Sequence, residues 1–297
     1  MNSGFEYREQ VGPDAAGHTV IDHLAARLRH STIEVWRRRI EAGEVVLRDA
    51  PATAAGVLRA GDWLAWRRPP WVEPAVPLAF AVLHRDESLL AVAKPRGLPS
   101  VPNGGFLEHT LLHVVRARFP EATPMHRLGR GTSGLVLFAR TALARRVVSG
   151  AWRDGGVEKT YRALVSGVPA RRSFTVEAPI GLVDHARLGR IHAAVPAGSG
   201  RPAVSHVRVL DARGGTALVE VTIPTGRPHQ IRIHMAAAGH PLVGDPVYAA
   251  GGHPRPDAGL PGDPGYHLHA HRLSLAHPVT GVRLELECHP PPALRDL

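Results

Sequence analysis

The apolar positions between residues 18 and 40 fall into two helical stripes. Val20, Ile21, Leu24 and Leu28 line the first, and Ile33, Trp36 and Ile40 the second, at the three-and-four spacing by which a helix buries one face. Ser31-Thr32-Ile33-Glu34 precedes the second stripe with the spacing of a capping box, whose hydroxyl and carboxylate satisfy backbone N–H groups left unpaired at a helix start. Gly43 supplies a stop. Val45-Val46-Leu47 and the run ending Gly61-Asp62-Trp63-Leu64-Ala65-Trp66 then read as small strands. Residues 67–78 carry four prolines in twelve positions, which neither a helix interior nor a central strand accepts. The pattern predicts a first domain over 1–66, a linker over 67–78 and a second domain over 79–297.

Beyond the linker, strands are predicted at 79–84, 89–93, 135–139, 160–166, 204–210 and 216–223. The last alternates Ala217, Val219, Val221 and Ile223 against Leu218, Glu220 and Thr222, the period of a strand. Helices are predicted at 110–119, 142–149 and 228–238. Pro228 suits the first turn of the third, and Gly239 its stop. Residues 249–266, rich in Gly, Pro and Asp, read as an exposed loop. No internal repeat is visible.

Composition narrows the function. The 297 residues, 44% of them hydrophobic, suffice for one large domain and one small one. The net charge of +10 favours a polyanionic partner, because arginine and lysine displace counterions from phosphates. Only Lys94 and Lys159 are lysines; the other basic residues are arginines. Cys288 is the sole cysteine, so no intramolecular disulfide can form. No apolar run reaches membrane-spanning length, and the N-terminus has no signal-like core. The expectation is a cytoplasmic monomer with no membrane association.

The most specific stretch is Met125-His126-Arg127-Leu128-Gly129-Arg130-Gly131-Thr132-Ser133-Gly134. It resembles the active-site motif of the RluA-type RNA pseudouridine synthases, which reads His-Arg-Leu-Asp, two residues, then Thr-Ser-Gly. Further blocks resemble that family in order: Asp86 to Leu98, Glu158-Lys159-Thr160-Tyr161, Thr225-Gly226-Arg227-Pro228-His229-Gln230-Ile231-Arg232, Gly239 to Asp245, and Leu268-His269-Ala270. Several ordered motifs are far more specific than one.

The resemblance implies an α+β fold: a curved, mainly antiparallel mixed sheet with flanking helices. It also implies isomerisation of uridine to pseudouridine in ribosomal or transfer RNA, without cofactor or metal. The small N-terminal domain resembles an S4-type RNA-binding domain, with Arg37 and Arg38 among its RNA contacts. In the family the motif's aspartate acts on the uridine, whether by attacking sugar or ring or by assisting as a base, an arginine holds that carboxylate, and a tyrosine packs on the base. By match these positions are Gly129, Arg227 and Tyr161. The resemblance places His126, Arg127, Arg130 and Thr132 along the RNA, with Gln230 and Arg232 supporting Arg227.

Gly129 is the departure. Glycine carries no side chain for this chemistry, and Gly131 also replaces a polar position. Two functions stay open: a synthase with an atypical site, or a catalytically silent relative that binds or remodels RNA. The string Gly129-x-Gly131-x-x-Gly134 matches a dinucleotide fingerprint only in letters, since a strand follows it where a helix should. His267, His269 and His271 share one face of a strand, but no further ligand stands at metal-binding spacing.

Overall fold

The N-terminal helices form where the apolar stripes place them. In the computed structural model, which describes all residues except Arg29, Asp296 and Leu297, the chain divides into two units, Met1–Glu73 and Pro74–Leu297. The first unit runs β1 (Phe5–Gln10), α1 (Val20–Arg27), α2 (Ile33–Glu41), β2 (Val45–Leu47), β3 (Ala50–Pro51) and β4 (Trp63–Arg68). Its sheet has the order β1-β4-β2-β3. Val20, Leu24, Trp36, Ile40, Leu64 and Trp66 form the core.

Two details differ from the sequence reading. The cap of α2 is Thr32, not Ser31: its hydroxyl accepts from the Val35 N–H, while the Ser31 hydroxyl accepts from Arg39. Strand β1 was not predicted, because most of its residues are exposed and no apolar alternation marks it. The three consecutive arginines separate as a helix requires. Arg37 and Arg38 face solvent, and the Arg39 guanidinium lies 4.6 Å from the Trp36 ring centre and 4.3 Å from that of Trp66.

The second unit opens with β5 (Ala81–Arg85), β6 (Leu89–Lys94), α3 (Leu111–Arg118), β7 (Thr123–Pro124), β8 (Ser133–Ala139) and α4 (Ala142–Arg153). It continues with β9 (Glu158–Ser166), β10 (Ser173–Val176), β11 (Ile180–His185), β12 (Gly189–Ala194), β13 (Ser205–Arg213) and β14 (Thr216–Thr222). It ends with α5 (Gln230–Ala237), β15 (Leu268–Ala276) and β16 (Arg283–Glu287). One ten-stranded sheet runs β10-β13-β14-β9-β15-β8-β6-β5, with β16 added to β15 and β7 to β8. Among the described residues only β15 and β8 pair in parallel, so the architecture is α+β with a mixed, mainly antiparallel sheet.

Strand alternation decides which helix covers which face. Leu89, Ala91, Leu135, Leu137, Leu273 and Leu275 pack on α4 through Ala144 and Val148. On the other face, Leu90, Val92, Val136 and Phe138 pack on α3, and Ala163, Val219 and Val221 pack on α5.

The long loop reads wrongly from composition. Residues 249–266 are not exposed throughout, since Ala258 is 0% and Tyr266 1% accessible. Ala258 packs with Val247 and Tyr248 against α5, and Tyr266 packs beside Leu268. Helix α5 starts at Gln230 rather than Pro228, because His229 takes a left-handed conformation (φ 56°) that cannot continue a helix. The β11–β12 hairpin, β10 and β16 carry no strong sequence signal and were not predicted.

Candidate active site

The motif loop is pinned from below. Lys94, 1% exposed, donates to the carbonyls of Pro95 and Leu98 at 2.9 and 2.6 Å, and to that of Arg130 at 3.4 Å. Burial lowers its pKa to about 7. The Ser100 hydroxyl bonds both the N–H and the carbonyl of Leu128. The Thr132 N–H donates to the Gly129 carbonyl at 3.0 Å, closing a tight turn. Gly134 lets β8 meet β15: its φ is +114°, and a Cβ there would stand 2.3 Å from the Ala270 carbonyl oxygen.

The space for a side chain at residue 129 is already occupied. A Cβ on Gly129 would stand 2.9 Å from the Tyr266 hydroxyl oxygen. A Cβ on Gly131 would stand 2.8 and 2.9 Å from Cε1 and Cζ of the same ring, and 3.2 Å from the Pro264 Cα. Contacts this short are closer than carbon atoms approach without strain. Gly129 and Gly131 are therefore two parts of one feature, a slot that admits a tyrosine from the loop before β15. The Tyr266 hydroxyl shares a 3.1 Å hydrogen bond with the Thr132 hydroxyl. Gly129 above it is exposed.

A fixed cation lies across the ring. The Arg232 guanidinium stands 4.2 Å from the Tyr266 ring centre and 5.1 Å from that of Tyr248, within cation–π range. It is held by a two-point ion pair with Asp245, both contacts 2.7 Å, the side chains 3% and 1% exposed. Asp245 also accepts from the Val247 and Tyr248 N–H groups. Burial alone would lower the Arg232 pKa, but the Asp245 bond overrides it and raises it.

His229 joins the same group. The Tyr248 hydroxyl donates to the His192 carbonyl at 2.8 Å, so it accepts from His229 Nδ1–H at 2.7 Å. Burial first, then the Arg232 charge, lower the His229 pKa to about 3. The ring is neutral at physiological pH, and its Nε2 is left as the acceptor. Arg127, exposed, contributes to the same lowering.

The sequence-predicted residues divide by position. Arg232 reaches Tyr266 beneath Gly129; Arg227 does not share its contacts. The Arg227 side chain donates to the Pro202 carbonyl, its N–H donates to Gln230, and it forms no ion pair among the described residues. Gln230 is buried and ties Thr225, Arg227 and Val204 together at the start of α5. Tyr161 is half-buried and packs against both apolar clusters of this face, the one that holds Leu128 and the one that holds Tyr266; burial pushes its pKa up to about 12. His126 turns toward α4. Its Nε2 accepts from the Leu137 N–H at 3.0 Å and its ring stacks on Trp152, so burial lowers its pKa to about 3. Arg130 bonds the Gly262 carbonyl and Asp263, and Thr132 bonds Tyr266. Arg37 and Arg38 belong to the first unit.

The sequence reading missed Tyr266 and His229 as site residues. Tyr266 sat inside a stretch read as exposed loop, and its only signal was the double glycine it requires. His269 and His271 both donate to the Cys288 carbonyl, and among the described residues no cluster of three His, Cys, Asp or Glu could hold a metal. Nor is any described helix long and apolar enough to cross a membrane.

Comparison with known proteins fits this geometry. Residues 88–237 match the family model described as RNA pseudouridylate synthase. An uncharacterised RNA pseudouridine synthase of Synechocystis is 40% identical over 93% of this chain and 95% of its own length. The ribosomal large subunit pseudouridine synthase D of Pseudomonas aeruginosa is 34% identical over 93% of this chain and 89% of its own. Among solved structures, human RNA pseudouridylate synthase domain containing 1 superposes with a TM-score of 0.57 at 25% identity, covering 75% of this chain and 89% of that one. The chain belongs to the RNA pseudouridine synthase family, and the slot filled by Tyr266 stands inside that family's motif.

Proposed function

We propose that the chain isomerises uridine to pseudouridine in structured RNA, ribosomal or transfer, in the cytoplasm. The observation that carries this reading is convergence. The motif loop, Tyr161 on β9, Arg232 on α5 and the start of β15 come from four ordered family-like blocks and meet at one floor. Arg127 and Arg130 supply cationic contacts for the RNA backbone at the rim. Tyr161 offers an aromatic face to a base taken out of the stack. Arg232 takes the fixed cationic position that the motif match assigned to Arg227. His126 supports β8 and α4. In the first unit, Arg37 and Arg38 project from an S4-like helix pair and add RNA affinity. The work is done by one chain without metal or cofactor.

The test is nucleoside analysis of unmodified ribosomal and transfer RNA transcripts after incubation with the protein. Pseudouridine appears in at least one class, and binding weakens steeply with salt. No pseudouridine in either class removes the reading.

A further inference from the structure

Resting on that reading, we infer that the Tyr266 phenol takes the chemical place left open by Gly129. Three observations carry it. The hydroxyl oxygen lies 2.9 Å from where a Cβ at 129 would begin, which puts an ionisable oxygen where the motif otherwise places a carboxylate. The Tyr266 hydroxyl and ring fill the space that side chains at 129 and 131 would take, so the two glycines leave room for this oxygen beside the loop. Arg232 lies over the ring, locked by Asp245, and negative charge building on the phenolic oxygen meets a cation that does not have to move.

Tyrosine is a competent nucleophile or proton carrier when its oxygen is oriented. The step balances without a further reactant. The phenolic oxygen bonds to C1′ as the C1′–N1 bond breaks, and the phenol proton passes to the departing uracil. The ring turns, C5 attacks C1′, and the pair of the C1′–O bond returns to Tyr266. The phenolate then takes the proton that C5 gives up. That proton exchanges with water, so tritium placed at C5 is released. Thr132 is a positioning residue, because its hydroxyl holds the phenol.

Gly129 is exposed and covers the hydroxyl with backbone only. A separate cavity of about 660 Å³ touches Tyr266 beside Lys94, Arg96, Ser133 and His267, with neither Gly129, Thr132 nor Arg232 in its lining. Tyr266 is itself 1% exposed. Reaching the hydroxyl therefore needs a local shift of the segment before β15, which Arg130 pins through the Gly262 carbonyl, while the Arg232–Asp245 pair stays in place.

The experiment compares native protein, Tyr266→Phe and Thr132→Val in tritium release from RNA labelled at uridine C5. RNA affinity and melting temperature are measured alongside. Tyr266→Phe is expected to lose release by at least ~1,000-fold with affinity and melting unchanged. Thr132→Val keeps the phenol and loses about tenfold or less. With 5-fluorouridine RNA, whose C5 cannot shed a proton, the native protein gives a covalent adduct that maps to the Tyr266 peptide. A Tyr266→Phe variant as fast as native, or an adduct mapped elsewhere, overturns the role of the tyrosine alone. A native chain that releases no tritium from any RNA takes down the synthase reading, and this inference with it.

Discussion

In each unit an arginine lies over two aromatic rings, half-buried Arg39 in the first and buried Arg232 in the second, and their surroundings give them opposite properties. In the first unit Arg39 lies over Trp36 and Trp66, and among the described residues its side chain has only the Ser31 hydroxyl as a hydrogen-bond partner. Burial and two neighbouring arginines lower its pKa against the pull of Glu44. In the second unit Arg232 lies over Tyr266 and Tyr248, but Asp245 grips it at two points and its pKa is raised. Arg39 is packing that keeps a route to water. Arg232 is a charge fixed inside the protein, the kind of cation that stabilises a developing anion without rearranging.

Removing each guanidinium should expose this difference most strongly. Arg232→Ala leaves the Asp245 carboxylate buried and without its cation, which should cost about 3–5 kcal/mol, whereas Arg39→Ala should cost only about 1 kcal/mol. Denaturant midpoints of the two variants check this; equal losses would break the contrast.

Next in size is the slot. Gly131→Ala drives a methyl into the Tyr266 ring and should cost about 1–3 kcal/mol. The loss should shrink in a Tyr266→Ala background, where only the 3.2 Å contact with the Pro264 Cα remains, because the two sites are in contact. A double-mutant cycle in thermal denaturation measures this, and additive losses would mean that glycine and tyrosine are not one unit.

The aromatic floor also sets a pH dependence. His229 has a folded pKa of about 3 against an ordinary 6.5, so below the ordinary value the unfolded chain takes a proton that the folded chain refuses. Its contribution to stability is present above that value and is lost as pH falls toward 3. His229→Gln should flatten the acid side of the stability profile, and an unchanged profile would place the titration elsewhere. The smallest effect on folding belongs to Arg37→Ala and Arg38→Ala, which face solvent. Melting should not change, while the salt dependence of RNA binding should drop by about one unit of slope per lost phosphate contact.

Much of this was legible in the sequence, and the failures have physical causes. Stripes such as Val20-Ile21-Leu24 and alternation such as Ala217-Val219-Val221 report burial directly, so α1 and β14 were readable. Strand β1 buries almost none of its residues and leaves no pattern. At the site, the ordered blocks singled out Gly129, Tyr161, Arg227 and Arg232, and it is Arg232 rather than Arg227 that lies over the Tyr266 ring. The difference lies in His229, whose left-handed backbone shifts the helix start and leaves Arg227 outside it. Tyr266 was hidden because composition marks a loop without saying which of its residues turns inward. The paired glycines at 129 and 131 were the trace of that tyrosine, but they read as loss rather than as room.

The most direct measurement is tritium release from C5-labelled uridine RNA by the native chain and by its Gly129→Asp variant. The account predicts release by the native protein and slower release by the variant, whose new side chain meets the Tyr266 hydroxyl. Release by the Asp variant alone would contradict it, showing a slot that waits for a carboxylate and a tyrosine that merely fills it.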